Sequence, residues 1–287
     1  MIKLYPDAQL ITKPVFDLPS FSKFVESKTA LKPLEAIEPE YLKNFNHCDT
    51  IPMMAGKLCY LSFSKDKGRN HPNKHLENLI KSKHGSVLEH TNIGFILMTS
   101  RDISHEIVRH RLASYSQLSQ RYVNFPQFLC PPELFSYIRN DKQNDNKYYE
   151  YITDDGVVQS EPNSPFCRWV SSMISAKEEY NYLAERLKDD INDTTLSRTD
   201  IRKLVNQTAR SVLPNSTVTY IFMTANIRSW RTILESRTSI HAATGIRLLF
   251  NRVFDQIRQA APECFQDYNK VMNNDGTFSI ITENNKV

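Results

Sequence analysis

Fourteen consecutive residues, Arg109-His110-Arg111-Leu112-Ala113-Ser114-Tyr115-Ser116-Gln117-Leu118-Ser119-Gln120-Arg121-Tyr122, hold three arginines, one histidine and three serines. Planar guanidinium forks grip phosphate oxygens through paired, charge-assisted hydrogen bonds. The apolar members of the run are too scattered to form a core face, so it reads as an anion site. More arginines stand at expected element ends: Arg210 near a helix C-terminus, and Arg228 and Arg237 flanking one short helix. Any one of them alone is an ordinary surface cation. The grouping points to a small, locally held anion.

Other chemistries find less support. His90, at the entry to an expected strand, and His110 are single histidines. His71 and His75 have i, i+4 spacing, but Pro72 between them marks a helix start, and no carboxylate completes a zinc-protease pattern, so no metal is expected. No GxxxxGK[ST] loop and no GxGxxG occur among only seven glycines, and Ser114, Ser116 and Ser119 sit in no GxSxG elbow. A nucleotide must then be held by side chains and helix ends.

The 287 residues can bury one large core, and 36 basic against 32 acidic residues give +4, too mild a charge for a dedicated nucleic-acid binder. Neither a membrane span of about 20 apolar residues nor a signal segment is legible, which leads us to expect a cytoplasmic protein without membrane partners. Five scattered cysteines without a CxxC pair suggest reduced thiols.

The elements that must position these residues follow from periodicity. Five prolines in the first 50 residues, Pro6 to Pro39, suggest an irregular or short-stranded extension. Leu58 to Phe63 reads as a strand or turn leading into the basic loop Lys65-Asp66-Lys67-Gly68-Arg69, with a helix from Pro72 to about Ser82. Ile93, Phe95, Leu97 and Thr99 alternate in a strand over 91–100. A helix capped by Asp102 or Ser104 follows, burying Ile103, Ile107, Val108 and Leu112 and carrying Arg109, His110 and Arg111 in its last turns. Residues two apart on a helix diverge by about 200°, so Arg109 and Arg111 would serve different groups within one subunit.

Residues 134–164 form a polar surface excursion with a turn at Asp154-Asp155-Gly156. Ser164 and Pro165 start a long helix, another runs from about 199 to 212, and 217–224 is a second strand. Asn226 caps a helix with Ile227, Trp230, Ile233 and Leu234 on its buried stripe. Ser239 caps the last helix, with Ile246, Leu249, Phe250, Val253, Phe254 and Ile257 inside. The fold class is α+β, a mixed or antiparallel sheet with long helices.

Five ordered islands carry a resemblance: His84 with Leu88-Glu89-His90; Arg109-His110-Arg111 followed after seven residues by Ser119 and by Arg121-Tyr122; Ala209-Arg210-Ser211-Val212-Leu213-Pro214; Asn226-Ile227-Arg228-Ser229-Trp230 through Arg237; and His241-Ala242. Together they resemble the flavin-dependent thymidylate synthases (ThyX). The resemblance implies a homotetramer with active sites where subunits meet, FAD bound without a Rossmann motif, and conversion of dUMP to dTMP. Methylenetetrahydrofolate would supply the carbon, NADPH the reducing equivalents, and no enzyme cysteine would attack the pyrimidine.

Position by position, it assigns His90, Asn92, Arg109, His110, Arg111, Gln117, Asn226, Arg228 and His241 to the flavin. Glu106, Arg109, Gln117, Leu118, Ser119, Gln120, Arg121 and Arg210 go to dUMP, and Arg237 to its ring, favouring ionisation at N3. Thr232, Ser116, Gln117 and Gly245 depart from the usual family residues, Gly245 as a mid-helix glycine costing about 1 kcal/mol. The expected division is an extension over 1–54, the catalytic domain over 55–265 and a tail over 266–287. Two alternatives stay open: a related enzyme acting on another pyrimidine nucleotide, such as a dCMP or dUMP hydroxymethylase, or a non-catalytic binder of nucleotide or RNA.

Overall fold

Prolines and small polar caps set most of the helix starts in the computed structural model, which describes residues 2–28, 42, 45–62, 71–139, 149–153, 156–191, 195–285 and 287. The basic loop 65–69, Pro33, Pro39, Phe63 and the Asp154-Asp155 pair lie outside the described residues. In chain order the elements are β1 (Ile2–Lys3), β2 (Asp7–Thr12), α1 (Leu18–Glu26), α2 (His47–Tyr60), α3 (Pro72–Lys81), β3 (Asn92–Ser100), α4 (Arg101–Ile107), β4 (Ala113–Gln117), β5 (Phe128–Leu129), β6 (Tyr149–Thr153), β7 (Gly156–Ser160), α5 (Pro165–Asp190), α6 (Arg198–Ala209), β8 (Val218–Asn226), α7 (Ile227–Thr238), α8 (Thr244–Ala260), β9 (Asn269–Met272) and β10 (Phe278–Ile281). Ser164 Oγ accepts from the Cys167 N–H at 3.1 Å and Asn226 Oδ1 from the Ser229 N–H at 2.8 Å, both as N-caps.

The chain divides into two units. The first comprises Met1–Asp7, Leu97–Arg109 and Ser116–Ile221, and the second Ala8–Ile96, His110–Tyr115 and Phe222–Val287. In the first, strands run in the order β5-β1-β6-β7, with β1 parallel to β5 and β6, and β6 antiparallel to β7. Its core joins Ile2, Leu4, Cys130, Val158, Phe166 and Val170. Strands β2, β3, β8 and β4 pair in the order β2-β3-β8-β4.

In the second unit, Trp230, Phe250, Phe254, Phe265 and Tyr268 are fully buried, each apolar side chain contributing about 1.5–3 kcal/mol. The expected inner faces of α7 and α8 are borne out, with all ten residues at most 2% exposed. Beneath them Arg231 is 1% exposed and donates through Nη1 and Nη2 to Asp267 at 2.8 and 2.9 Å, with its guanidinium 4.6 Å from the Tyr268 ring centroid.

Four local expectations are corrected. Leu58 to Tyr60 finish α2, which Leu61 closes in the left-handed region at φ 46°. Within the segment 134–164, the described residues include antiparallel β6 and β7, with Val158 and Ser160 buried rather than at the surface. Ser239 ends α7 rather than starting α8, whose N-cap is Ala243. Gly245 therefore lies in the first turn of α8, where the mid-helix penalty does not apply in full.

Candidate active site

The arginine run is not helical. Helix α4 spans only seven residues, Val108 caps it, and Arg109, His110 and Arg111 occupy the connection to β4. The cap is Ser100 rather than Asp102 or Ser104; Ser104 Oγ instead donates to the Arg101 carbonyl at 2.7 Å. Ile103 and Ile107 are buried as expected, but Val108 is 38% and Leu112 80% exposed, so neither belongs to a buried stripe. The reason is legible afterwards: Ala113, Tyr115 and Gln117 alternate inward with exposed Ser114 and Ser116, the period of a strand. With no helix there, Arg109 and Arg111 are not held about 200° apart as helical residues would be.

In the second unit, Arg237 near the end of α7 donates through Nε to His110 Nε2 at 2.7 Å, joining residues 127 positions apart. Tyr115 Oη donates to the His110 carbonyl at 2.7 Å. Burial, and then the Arg237 charge, push the His110 imidazole down to about 4. Burial raises the Tyr115 phenol to about 12 against the opposing pull of Arg237. Arg228 Nη1 meets Glu89 Oε1 at 2.6 Å. His90, Asn92, Arg111 and His241 are exposed, and Asn226 and Arg228 are half-buried. Asn226 thus combines its cap with a place in the candidate set. Thr232 Oγ1 points back to the Arg228 carbonyl at 3.4 Å.

In the first unit, Gln117 at the end of β4 donates through Nε2 to Ser104 Oγ at 3.0 Å and to Thr219 Oγ1 at 3.2 Å. Leu118 N–H bonds the Tyr220 carbonyl at 2.9 Å. The chain then turns on Ser119, whose carbonyl accepts from Tyr122 and Val123 and whose Oγ accepts from the Arg121 N–H. Asn206 Nδ2 holds the Arg121 carbonyl at 3.2 Å. Arg109 and Arg121 are exposed, while Glu106, Gln120 and Arg210 are half-buried. Arg101, which sequence reasoning passed over, joins this set: its pKa is lowered by burial and then by the Arg210 charge. Two cations that act on each other favour an anion between or beside them. The only sequence signal for Arg101 was its place at the start of α4.

Cys48, Cys130, Cys167 and Cys264 are buried, and only Cys59 on α2 is exposed. Burial pushes Cys48 up to about 11 and Cys130 to about 12. Among the described residues no three His, Cys, Asp or Glu side chains cluster as metal ligands, and no helix is long and apolar enough to cross a membrane.

The sequence profile of the family described as thymidylate synthase complementing protein matches residues 42–263. A flavin-dependent thymidylate synthase of Mycolicibacterium vanbaalenii is 35% identical over 227 residues, 78% of this chain and 80% of that protein. The enzyme of the same description from Mycobacterium tuberculosis is 33% identical over 229 residues, again 78% of this chain and 80% of that one. Among solved structures, the UMP/dUMP methylase PolB of Streptomyces cacaoi bound with 5-Br dUMP shares the fold with a TM-score of 0.58 at 18% identity, over 92% of this chain and 94% of that one.

Proposed function

Because the chain belongs to the thymidylate synthase complementing protein family, we propose that it is a flavin-dependent thymidylate synthase, a methyltransferase that converts dUMP to dTMP. The overall reaction consumes dUMP, methylenetetrahydrofolate, NADPH and a proton and gives dTMP, tetrahydrofolate and NADP+. The observation that carries the reading is the Arg237–His110 bond, which draws two motif islands 127 residues apart into one cluster.

The donor set fits FAD. His90, Asn92, Arg111, Arg228 and His241 present cations, imidazoles and amides to solvent, suited to a pyrophosphate and ring carbonyls. The carboxylate among them, Glu89, is neutralised by Arg228. When bound, the flavin supplies the redox chemistry of the methyl transfer. The protein supplies charge and orientation. The Arg237 guanidinium stabilises negative charge developing at pyrimidine N3. His110, neutral and anchored by Arg237 and by Tyr115 at its carbonyl, orients that guanidinium without competing as a cation. In the first unit Arg101, Arg109, Arg121 and Arg210, with the Ser119 turn and Gln117, form a separate cation set suited to a phosphate.

Most of these side chains are exposed or half-buried within one chain, which supports a homotetramer whose sites are completed by neighbouring copies. The test is direct. Purified protein should be yellow and bleach under NADPH. With methylenetetrahydrofolate it should convert dUMP, and not UMP or dCMP, to the methylated nucleotide by mass spectrometry. A hydroxymethyl product would overturn the methyl-transfer reading. A colourless protein whose nucleotide affinity falls steeply with salt would instead indicate a binding protein.

A further inference from the structure

Residues 264–287 lie beyond the family match, and the chemistry above does not call on them. Several of the described ones are held in place all the same. Asp267 Oδ2 accepts from Thr282 Oγ1 at 2.5 Å and from Asn284 Nδ2 at 3.1 Å, while Arg231 Nη2 reaches the Asn284 carbonyl at 3.4 Å. Val287 is 2% exposed.

What covers Val287 is specific. A Cβ on Gly85 would stand 2.7 Å from the Val287 carbonyl carbon and 2.9 Å from Arg228 Nε, so tail backbone, Gly85 and guanidinium meet where only a hydrogen leaves room. Gly85 opens the 3-10 segment Gly85–His90, whose Glu89 pairs with Arg228. An exposed ion pair by itself holds two long side chains weakly. The buried Val287 lies on the Gly85 side of that guanidinium and limits its rotamers there, while the Arg228 side chain stays 41% exposed elsewhere.

We propose that Val287 is a positioning residue for the cofactor-facing residues of the second unit: seated on Gly85, it fixes Arg228 and, through Glu89, the turn that carries His90. This rests on the reading that Arg228 and His90 face FAD. Two variants test it. A chain ending after Asn284 keeps the Arg231, Asp267, Thr282 and Asn284 bonds and loses Val287, whereas Gly85→Ala keeps the tail and fills its seat.

For each, FAD affinity is measured by fluorescence quenching, amide exchange over 85–90 on flavin-free protein, and the thermal midpoint as a control. The expected result is faster exchange at 85–90 and an FAD Kd raised about tenfold, the size of one lost charge-assisted contact, with the midpoint of the shortened chain nearly unchanged. Unchanged FAD affinity in both variants overturns the proposal, as does weakened affinity with exchange at 85–90 unaltered. Should the shortened chain fail to fold, Gly85→Ala alone decides. A full-length chain that takes up no FAD overturns the functional reading and this proposal together, a result distinct from either failure above.

Discussion

Arg237 donates through Nε to Nε2 of His110 across 2.7 Å, and that bond fixes the state of the imidazole. A guanidinium N–H can only donate, so Nε2 keeps its lone pair and the proton resides on Nδ1. His110 is a neutral strut for a permanent cation.

The His110 ring is expected to titrate near 4 by NMR, below the ordinary histidine value of 6.5, because of burial and then Arg237. Between those two values the unfolded chain binds more protons than the folded one, so this contribution to stability is complete above 6.5 and is lost as pH falls through 4. Arg237→Gln removes only the second cause. Its ring should titrate higher than in the parent yet still below 6.5, and an unmoved value would show that the guanidinium does not act on it.

Arg237→Ala should lower kcat by about 10²–10³-fold, the cost of removing one donor aimed at developing charge. The spectrum of bound flavin should stay largely intact. Loss of flavin with nucleotide affinity preserved would move Arg237 from the pyrimidine to the cofactor.

The surroundings of Gln117 call for an amide. Ser104 Oγ already donates to the Arg101 carbonyl and so accepts from Gln117 Nε2. A carboxylate would set acceptor against acceptor. Gln117→Glu should cost about 1–2 kcal/mol in urea unfolding, and an unchanged midpoint would contradict the bond.

Asp49 is 1% exposed, with Oδ1 taking the Cys264 N–H at 3.0 Å and Oδ2 without a hydrogen-bond partner among the described residues. Burial raises its carboxyl to about 6 from 3.8. The folded state therefore holds the proton more tightly, and stability from this group, full below 3.8, is lost as pH rises through 6. Asp49→Asn should stabilise the protein at pH 7 by about 1–2 kcal/mol, allowing for its new unpaired Nδ2, and give no gain at pH 4. Equal effects at both values would refute the assignment.

Removing the Arg231 guanidinium as Arg231→Met strands Asp267 and should cost about 3–5 kcal/mol by denaturant unfolding. Asp267→Asn in the same background should recover part of it. No recovery would mean that packing on Tyr268, rather than charge, sets the loss.

Where physics was local, the sequence was informative. Ser164-Pro165 and Asn226 announced their helices, and the alternation of Ile93, Phe95 and Leu97 announced β3. The arginine run misled because Ile103, Ile107, Val108 and Leu112 keep helical spacing, while the competing signal, period two from Ala113 to Gln117, is written in half-exposed residues. Partnerships such as Gln117 with Thr219 or Arg237 with His110 depend on sheet pairing and long-range packing, which spacing along the chain does not encode. Arg101 was missed for the same reason, since its neighbour Arg210 lies on a distant segment. Gly85 gave no signal at all until the tail was seen resting on it.

The burial of four thiols and the exposure of Cys59 have a practical side. Under gentle alkylation one fluorophore should attach, on α2 of the second unit, with no cysteine removed beforehand. The chain thus carries a native attachment point for distance and polarisation measurements, at a position to which the proposed chemistry assigns no part.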